Sequence, residues 1–251
     1  MVKNRDLKFW SDEWEKQQNS LIEKREERFE TLFDITEVTY GKQFNALDLG
    51  CGPGSLEKRF LARFPKSTIT SIDYDPVTLE LAKVSGISSR VKFLERDLRS
   101  ENWDLDLDYE AFDVVYSTTA LHWLTEKALR GVYRKTALLL KPEGILINGD
   151  HMRSEKRPSK LDKLYTGMRE KTIERSIGHE TSMGWDQWWN EFKSTGWRPD
   201  LFEERERRLA TGNHDQKVSL EAHVKILMES EFRSVEIPWK YLDNVILLAM
   251  K

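Results

Sequence analysis

The chain has 251 residues, 39% of them hydrophobic and 33% charged, a composition that supports an α/β domain with an appended subdomain and excludes collagen-like, low-complexity and wholly disordered chains. Its 40 basic and 43 acidic residues leave a net charge of −3, which argues against a dedicated nucleic-acid binder, although a local basic patch stays compatible. With one cysteine, Cys51, no apolar N-terminal core of signal-peptide length and no apolar run near the roughly 20 residues that cross a bilayer, a cytoplasmic chain without internal disulfide or membrane span is expected.

Residues 1–40 read as an N-terminal helical arm, with Phe9, Trp10, Trp14, Leu21, Ile22, Phe29, Leu32 and Phe33 at spacings of amphipathic helices. From 41 to 150, short apolar runs alternate with helix-length segments. Strands are predicted at Ala46–Leu49, Thr68–Ile72, Val91–Leu94, Phe112–Ser117 and Ile145–Asn148, with helices near Ser55–Phe64, Pro76–Val84 and Glu126–Leu139. Runs such as ALDL, DVVY and ILIN are apolar at consecutive positions, as strands covered on both faces require, so a parallel doubly wound sheet follows. Residues 151–212 read as a helical cap that carries Trp185, Trp188, Trp189 and Trp197, four of the nine tryptophans. Residues 213–251 return to the sheet through a helix over Ser219–Phe232 and strands Ser234–Trp239 and Asn244–Met250, whose short Lys240–Asp243 connection fits only an antiparallel pair.

The first strand runs into Gly50-Cys51-Gly52-Pro53-Gly54 and then into good helix formers. Glycines there permit positive φ and let a ligand lie on bare backbone, while the helix N-terminus offers N–H donors to an anionic group. A nucleotide-like ligand and a plain tight turn are both compatible with the turn alone. Asp73, at the end of the second strand, can accept ribose hydroxyls; Asp75 before Pro76 reads as a helix N-cap.

Taken together, LDLGCGPG at 47–54, Asp73, Arg96-Asp97-Leu98, FDVVYS at 112–117 and LKPEG at 140–144 resemble the successive motifs of class I S-adenosylmethionine-dependent methyltransferases. A nicotinamide-binding half usually carries its third glycine one position later. The resemblance implies a Rossmann-like class I methyltransferase fold: a seven-stranded, mostly parallel sheet with an antiparallel last strand, plus a helical cap. It implies S-adenosyl-L-methionine as cofactor and S-adenosyl-L-homocysteine as product. Gly50, Cys51 and Gly52 would line the methionine end, Asp73 with Tyr74 beside it the ribose, Asp97 and Leu98 the adenine, and the Ser117 carbonyl the amino group; Asp48 would support the turn. Asp113 is expected to be structural.

The Ala120-Leu121-His122-Trp123 stretch resembles a segment of the trans-aconitate methyltransferase-like, small-molecule branch, with Thr118 where many relatives have Asn. His122, His151 and His214 are the candidates to orient or deprotonate an acceptor, and no metal site is expected. In-line methyl transfer needs alignment and exclusion of water rather than a covalent intermediate. No dyad is legible, which tilts the acceptor toward an already anionic oxygen. The expected function is thus transfer to a small molecule, with a carboxylate or hydroxyl oxygen first. An amine acceptor, an RNA or protein substrate, and a non-catalytic cofactor-binding regulator remain as alternatives. The basic excess between His151 and Arg175 suits either an acidic substrate or a solvated helix face. The cap tryptophans suit a lid or mere packing; in the arm, Trp10 and Trp14 can close over the cofactor and Arg25 or Arg28 can meet its carboxylate, with packing and surface roles as the alternative. Oligomeric state is not readable.

Overall fold

A computed structural model describes residues 6–85, 87, 89–177, 182–210 and 218–251. His214 lies outside the described residues.

The strands are β1 (Asn45–Leu49), β2 (Thr68–Asp73), β3 (Val91–Glu95), β4 (Phe112–Thr118), β5 (Leu140–His151), β6 (Ser234–Tyr241) and β7 (Asn244–Met250). They form one seven-stranded sheet in the order β3-β2-β1-β4-β5-β7-β6. β1 to β5 are mutually parallel, and β7 runs antiparallel between β5 and β6. This is the predicted fold. Side-chain parity builds two cores: Ala46, Ile69, Val114, Tyr116, Ile145 and Ile147 face one side, and Leu47, Leu49, Ile72, Val115, Leu146 and Leu247 face the other.

The first face is covered by α2 (Arg25–Tyr40) and α3 (Ser55–Arg63), through Phe29, Leu32, Phe33, Phe60 and Phe64. The second is covered by α5 (Glu126–Leu139) and α9 (Leu220–Glu229), through Leu129, Val132, Tyr133, Ile226 and Leu227. Asp75 caps α4 (Pro76–Val84) as predicted, accepting from Val77 and Thr78 N–H, and Thr125 and Ser219 cap α5 and α9 by accepting from Ala128 and Ala222 N–H.

β5 begins five residues earlier than predicted. Leu140 pairs with Phe112, the register shifts, and pairing resumes at Ile145. Gly144 is required in this bulge, since a Cβ there would stand 2.8 Å from the Lys141 carbonyl oxygen. β6 extends to Tyr241 and carries Pro238 at its own register shift on the sheet edge, where no ladder N–H is needed.

The arm is α1 (Leu7–Leu21) followed by α2, and the cap contains α6 (Ser159–Ile177), α7 (Trp185–Ser194) and α8 (Pro199–Leu209). Of the cap tryptophans, Trp188 and Trp189 take the packing alternative. Trp188 and Trp189 are buried with Phe192 and Phe202 against Trp10 and Trp14 of α1 and Val77 and Leu81 of α4, and Trp188 Nε1 donates to the Trp10 carbonyl at 3.1 Å. Large rings with one polar atom are most stable where area and a hydrogen bond are both supplied, and the arm supplies both. Trp10 and Trp14 are therefore consumed in an arm–cap clasp and do not close over the turn. Arg25 pairs with Glu15 and Asn19, so it too is committed within the arm.

Candidate active site

The glycine turn is built by close approach. Gly50 and Cys51 N–H both donate to the Ile72 carbonyl, at 2.8 and 3.0 Å, which joins the ends of β1 and β2. Gly50 has φ +86°, and a Cβ on it would lie 2.2 Å from Ala120 Cβ, so no other residue fits. Gly52 also has positive φ, but a Cβ there would meet nothing within 4 Å: the backbone faces open space at the carboxyl edge of the sheet, where this topology binds ligands. Cys51 is buried, and its thiol is raised by burial and by the carboxylates of Glu57, Asp73 and Asp48. Asp48 lies beneath the turn against Glu57, and burial raises both carboxyls.

Asp73 stands where the resemblance put it, and it already has work. Its Oδ2 accepts from Gly52 N–H at 2.7 Å and its Oδ1 from Asp75 N–H at 2.8 Å. Loss of hydration, with Asp75 nearby, pushes its carboxyl up to about 6 despite those bonds. Each oxygen retains a second lone pair for a ligand donor. Tyr74 sits between the guanidinium groups of Arg99 and Arg208, 4.7 and 4.9 Å from its ring centroid. Asp97 is held by Arg99 through both oxygens, and Leu98 packs on the core. Arg208 of α8 also donates to the Tyr74 carbonyl at 2.7 Å and to Glu95 at 2.5 Å; Arg205 reaches Asp75 at 2.6 Å. Tyr74, Glu95, Arg96, Asp97, Glu204, Arg207 and Arg208 line a cavity of about 270 Å³. The sequence reading missed both α8 arginines, which lie more than a hundred residues from Tyr74, Asp75 and Glu95.

Ser117 is fully buried in β4, its hydroxyl donating to the Leu49 carbonyl at 2.8 Å; it ties β4 to the turn. Asp113 is structural, as expected: it accepts from Asn45 N–H and Lys141 at the opposite end of the sheet.

Beyond β4 the chain turns through Thr119 at φ +54° into the 3₁₀ turn Leu121–Trp123. This sets His122 beside Asp150, at the end of β5. Nδ1 of His122 is 2.7 Å from Asp150 Oδ1, and its backbone N–H donates to Oδ2 at 3.1 Å. Asp150 is 1% exposed. Burial alone would raise its carboxyl, but His122, His151 and Arg28 outweigh that and hold it at about 2. It is an ionised carboxylate fixing an imidazole. His151 N–H donates to the same Oδ1 at 2.8 Å, and His151 Nε2 lies 3.0 Å from Glu23. Asp150 thus fixes the His122 ring, while the His151 ring is held by Glu23; the sequence reading named neither carboxylate. Trp123 next to them is 52% exposed. Arg28 is fully buried; it donates to Asn244 Oδ1 at 2.8 Å and Thr119 Oγ1 at 2.5 Å, and burial lowers it to about 10.

Residues 46–144 match the methyltransferase domain family. Over 116 residues the chain is 34% identical to a malonyl-[acyl-carrier protein] O-methyltransferase of Acetivibrio thermocellus, covering 46% of this chain and 38% of that one. Over 80 residues it is 36% identical to a trans-aconitate 2-methyltransferase of Enterobacter sp., covering 32% and 29%. The chain therefore spans under half the length of these curated relatives. A solved S-adenosylmethionine-dependent methyltransferase of Methanosarcina mazei superposes with a TM-score of 0.53 at 16% identity, covering 86% of this chain and 96% of that one. The chain thus has the class I methyltransferase fold, with the arm and the cap packed around it.

Proposed function

We propose that the chain is an S-adenosylmethionine-dependent methyltransferase acting on an oxygen of a small molecule. The observation that carries this reading is the pairing, on one sheet edge, of an open glycine backbone bound by Asp73 with an imidazole fixed by Asp150. The cofactor fits the residues present. The uncrowded Gly52 backbone accommodates close approach, and Asp73 and Asp97 offer acceptors to the ribose hydroxyls and adenine amino group. Gly50, Cys51, Gly52 and the Ser117 carbonyl would hold the methionine end, with Tyr74 and Leu98 against the adenosine. When bound, S-adenosylmethionine supplies an activated methyl group and departs as S-adenosylhomocysteine.

The chain's own chemistry lies in alignment and proton transfer. Asp150 takes the Nδ1–H of His122, which leaves the basic lone pair on Nε2. That nitrogen removes the proton of an acceptor hydroxyl as its oxygen is methylated. The His122–Asp150 contact supports a hydroxyl oxygen ahead of a carboxylate, where the sequence alone tilted toward an already anionic oxygen. An oxygen acceptor agrees with the O-methyltransferase name of one relative. Neither the small negative net charge nor the fold contributes a nucleic-acid surface to this reading.

A labelled-methyl screen against alcohols, phenols, acids and amines tests it, with His122→Asn alongside. Label is expected in oxygen-bearing small molecules, with loss of turnover in the variant. Label in RNA or protein alone would overturn it.

A further inference from the structure

The arm reaches the sheet edge through one buried guanidinium. Arg28 of α2 is fully enclosed, and its stem lies against Gly149 of β5, where a Cβ would stand 3.0 Å from Arg28 Cδ and 3.2 Å from its Nε. That Nε makes no hydrogen bond among the described residues. The two other nitrogens divide their work. Nη1 donates to Asn244 Oδ1 at 2.8 Å, and Nη2 donates to Thr119 Oγ1 at 2.5 Å. Asn244 is tied back to the arm, its Nδ2 donating to the Glu23 carbonyl at 2.7 Å. An enclosed charge is costly in lost hydration even when it is paired, so what this cation holds in place matters.

Thr119 needs such a hold. It is a β-branched residue at φ +54°, in the left-handed region that such side chains rarely adopt and that persists only where the surroundings impose it. Its N–H donates to the Gly149 carbonyl at 2.9 Å and its hydroxyl oxygen accepts from Arg28, so backbone and side chain are both pinned. The residues that follow carry this to two places: Ala120 Cβ lies 2.2 Å from where a Cβ on Gly50 would stand, and His122 is seated on Asp150. We propose that Arg28 is a positioning residue for methyl transfer: by holding Thr119 in its left-handed conformation it fixes the 119–122 turn, and with it the placing of the His122 imidazole relative to the glycine turn at Gly50. The inference rests on the methyltransferase reading. Arg28 acts through Thr119 and not on the cofactor, since Asn244 and Thr119 already engage Nη1 and Nη2.

The test uses the full chain. Thr119→Val keeps the branched shape without the accepting oxygen, Thr119→Ser keeps the oxygen, and Arg28→Lys keeps the charge without the fork. With no ligand present, amide hydrogen exchange followed by NMR reports on the turn: His122 N–H is expected to exchange about tenfold faster in Thr119→Val and Arg28→Lys, the scale of one hydrogen bond, with the β4 amides unchanged and Thr119→Ser within about threefold of wild type. In kinetics with S-adenosylmethionine and the acceptor found by the methyl screen, kcat should fall about tenfold or more in Thr119→Val and Arg28→Lys through misplacement, with acceptor KM and cofactor Kd within about threefold and most of the rate kept in Thr119→Ser. Wild-type exchange at His122 in Thr119→Val, a loss confined to Tm, or a loss of cofactor affinity at unchanged kcat overturns the proposal. The Thr119 pair decides even where Arg28→Lys fails to fold. A wild-type chain that binds no S-adenosylmethionine and labels no acceptor instead defeats the parent reading, and the exchange experiment still decides whether Arg28 and Thr119 fix the turn.

Discussion

Asp73→Asn separates the stability of the glycine turn from its use. Holding the Asp73 carboxyl at about 6, against an ordinary 3.8, makes its ionised form about 3 kcal/mol less stable in the folded state than in the unfolded one. The sign follows from proton binding. Between pH 4 and 6 the unfolded chain has released this proton while the folded chain retains it, so stability falls as pH rises through that window and is flat above it. Asparagine removes the titration. It also turns an amide NH₂ toward one of the two backbone donors, Gly52 or Asp75 N–H, a loss of about 1 kcal/mol or more. The net expectation at pH 7 is a gain of about 1–2 kcal/mol. The variant should lose the pH 4–6 slope and become the less stable protein near pH 4. Urea unfolding at pH 4, 5, 6 and 7 measures this, and calorimetry with S-adenosylmethionine should show affinity falling at least tenfold as a charged acceptor is lost. A variant with the wild-type pH slope, or one with undiminished cofactor affinity, would refute the reasoning.

Asp150→Asn should cut methyl transfer by about a hundredfold or more while leaving cofactor affinity unchanged, because the imidazole loses its fixed tautomer; single-turnover rates set against calorimetry check both halves. The same carboxylate, held at about 2, contributes about 2 kcal/mol of stability that is present above pH 4 and lost as pH falls toward 2, and the variant should lack that acid limb in urea titrations. Arg208→Ala removes the contact to the Tyr74 ring and carbonyl and is expected to weaken S-adenosylmethionine about tenfold without altering acceptor KM, read by calorimetry and steady-state kinetics. Trp188→Ala should destabilise by about 3–5 kcal/mol through the cavity left in the arm–cap clasp, visible as a lower urea midpoint.

The sheet was legible because its strands are buried on both faces, so ALDL, DVVY and ILIN show in the sequence as runs that only crossover helices can cover, and caps such as Asp75-Pro76 mark where those helices begin. The glycine turn and Asp73 were legible for the same reason: β1 and β2 are neighbours, and their ends meet by topology. The acceptor side was only half legible. His122 and His151 stand out as residue types, but what decides their chemistry is a carboxylate brought in across the fold, Asp150 from 28 residues away and Glu23 from 128. No periodicity encodes such a pairing. The tryptophans left two readings open. Their clustering in the cap was visible, yet an apolar ring is satisfied by any dry surface of matching shape, and the sequence does not say whether a ligand or another helix provides it. Here Trp10 and Trp14 do. The consequence is that the cap is bound to the arm by its aromatic side and meets the sheet edge through charged side chains, Arg205 and Arg208 on the flank proposed for the cofactor and Arg169 beside Glu23. Polar contacts of this kind set which ligand oxygens are matched, because an unpaired buried charge is far more costly than a misfitted methyl group.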